Sequence, residues 1–236
     1  MKQVLILAGG KGTRLGKLTE NVPKPLLKFD GTHSTLSILI NKCLDENFDE
    51  IIILAGYLPE AMQEFHDNLS VPQKKKIKIL FEKDLLGTYG AINNAFHHLA
   101  AKFLVINGDT LLNFKFDTFY DSTDMKKIDA CIAIKKADNN LDRFGTIKLK
   151  ENLVDTFSEK STCKDPQDSY LSLGCYVLTK KLFDQNNIGI KSSLEFDLLP
   201  KLARNKRMGF VIYKNNFIDI GTPESFLIAS EFDRDS

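Results

Sequence analysis

Short apolar runs alternating with longer amphipathic stretches narrow the folds open to this chain more than any other feature. Val4–Ala8, Ile51–Ala55, Ile77–Phe81 and Phe103–Asn107 read as compact buried strands. Leu36–Asn47, between the first two, places Leu36, Leu39, Ile40, Cys43 and Leu44 at the spacing of one helix face. Pro59–Leu69 opens with proline where a first helical turn tolerates it, and Ala91–Ala101 continues the helical pattern. Strands in series with helices are the pattern of a mostly parallel sheet covered by helices.

The rhythm changes after Asn107. Ala130–Ile134 is a further strand, Gly145–Lys150 and Val154–Lys160 a hairpin across Glu151 and Asn152, and Leu171–Leu178 another strand. Ser161–Ser169 is polar, carries Pro166 and reads as a loop, as does the basic run Lys74-Lys75-Lys76. Ser192-Ser193-Leu194-Glu195 is a capping-box pattern that predicts a helix to about Ala203. Met208–Tyr213 and Phe217–Ile220 are strands, and Thr222-Pro223 caps and starts a last helix, Glu224–Phe232. The expected class is α/β: a Rossmann-like mixed, mostly parallel central sheet flanked by helices, with a small antiparallel portion. No repeat, low-complexity tract or long linker divides the 236 residues, so one domain is expected.

Charge and cysteine content exclude several functions. Lys plus Arg total 32 against 31 Asp plus Glu, so nothing suggests a nucleic-acid or anionic-membrane partner, whose footprint is a basic excess. Cys43, Cys131, Cys163 and Cys175 are scattered without a CxxC pair, which argues against a zinc site or disulfide framework. His97 and His98 face different ways on one helix, and His33 and His66 are isolated. Val4–Ala8 is too short for a signal-peptide core, and no apolar run would span a bilayer, so a cytoplasmic protein is expected.

Five constellations could carry chemistry. Leu7-Ala8-Gly9-Gly10-Lys11-Gly12-Thr13-Arg14 follows the first strand, where α/β folds bind nucleotides. Its glycines free backbone N–H groups to curl around an anion, while Lys11 and Arg14 add charge. The spacing is neither a Walker A loop nor GxGxxG, because Leu15 stands at the third glycine position. Pro23-Lys24-Pro25 restrains one lysine between two prolines, and a fixed cation suits phosphoryl chemistry. Asp109, at the end of Phe103–Asn107, and Asp219, in or just after Phe217–Ile220, are carboxylates suited to Mg²⁺. Glu159-Lys160, with Gly145 and Gly174 in neighbouring strand contexts, could hold sugar hydroxyls and a sugar phosphate, although such a pair is more often a solvated ion pair. Leu86-Gly87-Thr88-Tyr89-Gly90-Ala91 is a glycine-bearing turn that admits a flat base or sugar, or simply allows tight packing.

Taken together, LAGGxGTRL, PKPL, a Gly-Asp at a strand end, FG, EK and Asp-x-Gly-Thr-Pro, running from Leu7 to Pro223, resemble the sugar-1-phosphate nucleotidylyltransferase family. NGDT and FIDIGTPE are most similar to its branch making GDP-D-glycero-D-manno-heptose. Two departures stand out: Gly16-Lys17-Leu18-Thr19 lacks the proline many relatives carry there, and Leu173-Gly174-Cys175 replaces their NAG-like stretch.

The resemblance implies transfer of a nucleotidyl group from a nucleoside triphosphate to a sugar 1-phosphate with release of pyrophosphate. It further implies Arg14, Lys24 and Asp109 as catalytic residues, and Leu7, Ala8, Gly9, Gly10, Lys11, Gly12, Thr13 and Gly87 around the nucleotide. Gly145, Glu159, Lys160 and Gly174 would line the sugar phosphate, and Asp109 and Asp219 would share Mg²⁺. About 1–112 would form the nucleotide half and about 113–236 the sugar-phosphate half, and a homo-oligomer stays open. Of the rivals, a metal-dependent glycosyltransferase would usually show Asp-x-Asp where Gly108-Asp109-Thr110 stands. A nicotinamide oxidoreductase lacks its third glycine, and a non-catalytic nucleotide-sugar sensor would not need Arg14, Lys24, Asp109 and Asp219 intact.

Overall fold

The computed structural model describes residues 1–137, 144–159, 168–185 and 188–231. Two compact units emerge, one built from 1–85, 106–117 and 216–236, the other from 86–105 and 118–215.

In the first unit, β1 (Gln3–Ala8), β2 (Glu50–Ala55) and β3 (Ile77–Phe81) pair in parallel, with Leu7 opposite Leu54 and Leu54 opposite Leu80. Val4, Leu5 and Ile6 in β1 and Ile51, Ile52 and Ile53 in β2 have no exposed surface, so both strand faces are covered and apolar residues run on without alternation. Helix α1 (Thr35–Asp45) buries Leu36, Leu39, Ile40 and Cys43 and starts at Ser34, whose side chain accepts from the Ser37 N–H. Helix α2 (Pro59–Asp67) follows as expected. The lysine run corrects the sequence reading: Lys74–Lys76 closes a short helix, α3 (Val71–Lys76), instead of forming a loop. Ser70 and Gln73 cap its start, and basic residues in a last turn complement the helix dipole.

An antiparallel ribbon completes this unit. Strand β5 (Thr110–Leu112), which the sequence pattern did not reveal, pairs with β11 (Phe217–Asp219), opposing Thr110 to Asp219. Helix α8 (Pro223–Ile228) begins at Thr222 with the expected cap, the Thr222 hydroxyl accepting from the Ser225 N–H.

The second unit is mixed. Helix α4 (Gly87–Asn94) is shorter than expected, giving way to a 3-10 turn at Phe96–His98 after the poor helix formers Asn93 and Asn94. Strand β4 (Lys102–Asn107) carries the chain back into the first unit. Strand β6 (Ala130–Lys136) pairs in parallel with β10 (Met208–Ile212) and antiparallel with β9 (Tyr170–Thr179), with a register shift between Ile132 and Ile134. Strands β7 (Thr146–Lys150) and β8 (Leu153–Ser158) form the expected hairpin, turning at Glu151, which adopts φ 55°.

Short helices α5 (Phe116–Ser122) and α6 (Lys181–Gln185) went unread in the sequence. The helix expected from Ser193 begins as a π-turn, Leu194–Leu198, and becomes α-helical only at α7 (Leu199–Arg204), where Pro200 has no N–H to give an α-helical hydrogen bond. Asp129 anchors the unit: it is 6% exposed and accepts from Arg207 Nε at 2.7 Å and Nη2 at 3.0 Å, with Lys181 Nζ at 2.6 Å. The α/β expectation therefore holds: a parallel sheet with helices in one unit, a mixed sheet with an antiparallel hairpin in the other.

Candidate active site

The glycine loop leaves β1 and turns at Gly12, whose left-handed φ of 64° gives the αL geometry. A Cβ on Gly12 would stand 3.0 Å from both Lys24 Cβ and Thr19 Cγ2, so the loop lies directly on the lysine stem. Thr19, 3% exposed, clasps the loop by donating to the Gly12 and Gly16 carbonyls at 3.2 and 3.1 Å. Sequence reasoning passed over Thr19, and nothing in its type or spacing announces the role.

Not every loop glycine serves the same end. Gly9 backs onto Glu82 and Gly56, with Glu82 Oε1 only 2.8 Å from where its Cβ would be. Gly10 meets no protein atom within 4 Å of that position and lines a cleft of about 230 Å³. Leu7, Ala8, Gly12, Thr13 and Arg14 line the same cleft, joined by Lys24, Pro25, Asp109 and Gly221. Lys11 is exposed and is not among the lining residues.

Lys24 sits in a 3-10 turn, Lys24–Leu26, entered through Pro23 and held by the Leu26 N–H on the Pro23 carbonyl at 2.8 Å. Thr35, in α1, donates to the Pro25 carbonyl at 3.3 Å, tying this turn to a helix. Although only 6% exposed, Lys24 keeps its charge compensated: Nζ lies 2.6 Å from Asp109 Oδ2 and 3.6 Å from Asp219 Oδ1. Burying an ammonium without such partners would cost several kcal/mol.

The acids meet because of the ribbon. Gly108 lets β4 end tightly, donating to the Leu7 carbonyl at 2.9 Å where a Cβ would come within 2.7 Å of that oxygen. Asp109 follows immediately, its carbonyl accepting from the Ile220 N–H at 3.0 Å, and β5 pairs with β11 so that Asp219 arrives beside it. Gly221 keeps the space next to Asp219 clear: a Cβ there would stand 2.8 Å from Asp219 Oδ1 and 3.0 Å from Arg14 Nη2. Arg14, Lys24 and Asp109 thus line one glycine-walled cleft, and Asp219, which is not among its lining residues, reaches it through Lys24.

The second unit groups the other expected residues. A Cβ on Gly145 would stand 2.9 Å from Glu159 Oε2, placing these two side by side. Gly174 adopts φ 66° within β9, and its N–H donates to Ser172 Oγ, which also meets the Tyr176 hydroxyl at 3.2 Å. Burial, reinforced by Glu195 and then Glu159, pushes the Tyr176 phenol well up from its ordinary value. Lys160 lies outside the described residues. Gly87, φ 77°, is required by packing: its Cβ would come within 2.5 Å of the Ser192 carbonyl, which accepts from the N–H groups of Tyr89 and Gly90.

No thiol is poised for nucleophilic attack among the described residues. Cys43, Cys131 and Cys175 are buried and in no disulfide, and burial pushes the Cys131 thiol up to about 11 and Cys43 higher still. No described helix is long and apolar enough to cross a membrane. The arrangement is one of charge placement: Arg14, Lys24 and Asp109 line a glycine-walled cleft, with Asp219 within 3.6 Å of the lysine.

Comparison with known proteins agrees with that chemistry. Residues 3–236 match the Nucleotidyl transferase family, and the chain belongs to it. Among curated relatives, D-glycero-alpha-D-manno-heptose 1-phosphate guanylyltransferase from Campylobacter jejuni is 31% identical over 95% of this chain and 96% of its own. The protein of the same name from Aneurinibacillus thermoaerophilus is 29% identical, covering 95% of each. Among solved structures, HddC from Yersinia pseudotuberculosis, complexed with GMP-PN, is 31% identical with a TM-score of 0.80, over 98% of this chain and 99% of that one.

Proposed function

We propose that the protein transfers a guanylyl group from GTP to a D-glycero-D-manno-heptose 1-phosphate, giving GDP-heptose and pyrophosphate in the cytoplasm. The observation that carries this reading is the convergence of Lys24 with Asp109 and Asp219 beside the glycine-walled cleft. The family supports the reaction type; the names of the two heptose relatives and the GMP-PN in the HddC crystal support the sugar and the base.

In this reading Leu7, Ala8, Gly9, Gly10, Lys11, Gly12 and Thr13 hold the nucleotide, with Gly87 beside the base. Arg14 neutralises the triphosphate and Lys24 the phosphates at the reacting centre. Gly145, Glu159, Lys160 and Gly174 hold the sugar phosphate. An oxygen of the sugar phosphate attacks the α-phosphorus in line. A new P–O bond forms as the bond to the bridging oxygen of the β-phosphate breaks, and pyrophosphate leaves with that electron pair. No covalent enzyme intermediate or proton transfer is needed, so alignment and charge neutralisation supply the rate.

The residues present suit Mg²⁺, a hard cation that takes one or two carboxylates together with phosphate oxygens. Asp109 and Asp219 would hold it, and the missing side chain of Gly221 leaves room beside Asp219. When bound, the ion supplies positive charge to the triphosphate oxygens. Pyrophosphate release measured with four triphosphates against a panel of sugar 1-phosphates tests the assignment. Release confined to GTP with the manno-heptose 1-phosphate is expected; release confined to mannose or glucose 1-phosphate would move the protein to another substrate, and none with any pair would refute transfer.

A further inference from the structure

We infer that Lys24 is a resident cation that holds the place between Asp109 and Asp219 in the free enzyme, and that a divalent ion gains those carboxylates only by displacing it. The inference rests on the proposed reaction, which makes the two aspartates the metal ligands. Its ground is that a single ammonium nitrogen lies 2.6 Å from one of these acids and 3.6 Å from the other.

Three features make the lysine a built-in occupant instead of a passing neighbour. Its main chain is restrained by Pro23 and Pro25 and by the Leu26 and Leu27 N–H groups, which donate to Pro23 and Lys24 at 2.8 and 3.2 Å. Its stem packs against Gly12, where an added Cβ would crowd Lys24 Cβ at 3.0 Å and Cδ at 3.4 Å. Its side chain is only 8% exposed, so the ammonium has little water to fall back on and depends on the carboxylates. Conversely, Asp219, with 13% of its side chain exposed, depends on nearby positive charge. Arg14 also comes close, its Nη2 standing 3.0 Å from the Gly221 Cβ position that lies 2.8 Å from Asp219 Oδ1, but it is exposed, so Lys24 is the buried cation of the pair.

A +1 group at this spot has two consequences for the chain's own residues. It keeps the acids close and offsets part of their charge while no substrate is bound, which favours the shape of the site. It also sets metal affinity low until triphosphate arrives, because phosphate oxygens offer the displaced ammonium a new partner. Metal and nucleotide then enter together, and Lys24 moves from carboxylate to phosphate within the reach of its terminal bonds.

The test is Mn²⁺ binding to the full-length protein without nucleotide, read by electron paramagnetic resonance, comparing wild type with Lys24→Met. Removing a charge this close to two ligands is expected to tighten Mn²⁺ by about tenfold or more, and Asp219→Asn added to Lys24→Met to cancel the gain. Lys24→Gln, polar and better suited to a buried site, repeats the measurement should the methionine variant fold poorly. Mn²⁺ affinity unchanged or weakened in the folded variants would overturn the inference. Wild-type pyrophosphate release, measured alongside, separates the two readings. Tightened Mn²⁺ binding without release would retain the resident lysine and refute the reaction, whereas release with unchanged Mn²⁺ binding would do the reverse.

Discussion

Two carboxylate clusters, one in each unit, are built differently: Asp129 is buried, whereas a third of the Asp109 side chain stays exposed. At Asp129 a single acid takes Arg207 through two hydrogen bonds of 2.7 and 3.0 Å and Lys181 at 2.6 Å. At Lys24 a single cation serves two acids. The first cluster is saturated: both oxygens of the acid are engaged, and the cations reach in from partly exposed positions. The second faces a cleft that Arg14, Lys24 and Asp109 line. A cluster closed on itself stabilises a fold, whereas charged side chains that face a glycine-walled cleft are placed to meet a charged ligand.

The largest expected effect lies in the second cluster. Lys24→Ala or Asp109→Ala should lower turnover by about a thousandfold, the scale of losing a group that stabilises transition-state charge, while circular dichroism and the unfolding transition show a retained fold. Near-normal turnover in both would erase the distinction. Asp129→Ala should do the opposite. Removing the hydrogen bonds of Asp129 to Arg207 and Lys181, both partly exposed, should cost about 1–2 kcal/mol in urea unfolding while turnover per folded molecule stays at the wild-type level.

A smaller effect is expected at Gly221→Ala. The added methyl would crowd Asp219 and Arg14, and, on the proposed reaction, displacing these side chains by a fraction of an ångström should reduce turnover about tenfold with little change in melting temperature. The smallest concerns acid. Burial works to raise the Asp129 carboxyl, but hydrogen bonds from Arg207 and Lys181, with their charge, outweigh it and hold the group below the usual carboxylate range. Its contribution to stability is therefore complete above the unfolded value of about 4 and is lost as pH falls through the lowered folded value. Unfolding free energies of wild type and Asp129→Asn measured across that range should converge by about 1 kcal/mol toward acid.

Much of the architecture could be read from residue pattern because burial writes itself into sequence. Doubly covered strands such as Val4–Ala8 show as unbroken apolar runs, and Thr222-Pro223 shows a helix start through its chemistry. What stayed hidden depends on tertiary context. Strand β5 is only three residues long, and its partner lies more than a hundred positions away, so no local period betrays it. The lysines of α3 looked like loop because charge alone does not distinguish a solvated turn from a last helical turn.

The candidate site was partly legible for the same reason. Position at strand ends pointed to Asp109 and Asp219, and the flanking prolines to Lys24, but their shared ion pair needed the ribbon that brings the acids together. Thr19 acts through contacts that no motif displays, Gly221 stood inside Asp-x-Gly-Thr-Pro without its closeness to Asp219 and Arg14 showing, and Asp129 was silent because its partners Lys181 and Arg207 are distant in sequence.

The central claim is that the acid pair and its lysine form a centre for nucleotidyl transfer. Pyrophosphate release from GTP and manno-heptose 1-phosphate, compared between wild type and a folded Asp219→Asn, tests it most directly. The account predicts steady release by the wild type and a loss of at least about a hundredfold in the variant; equal release by both would contradict it.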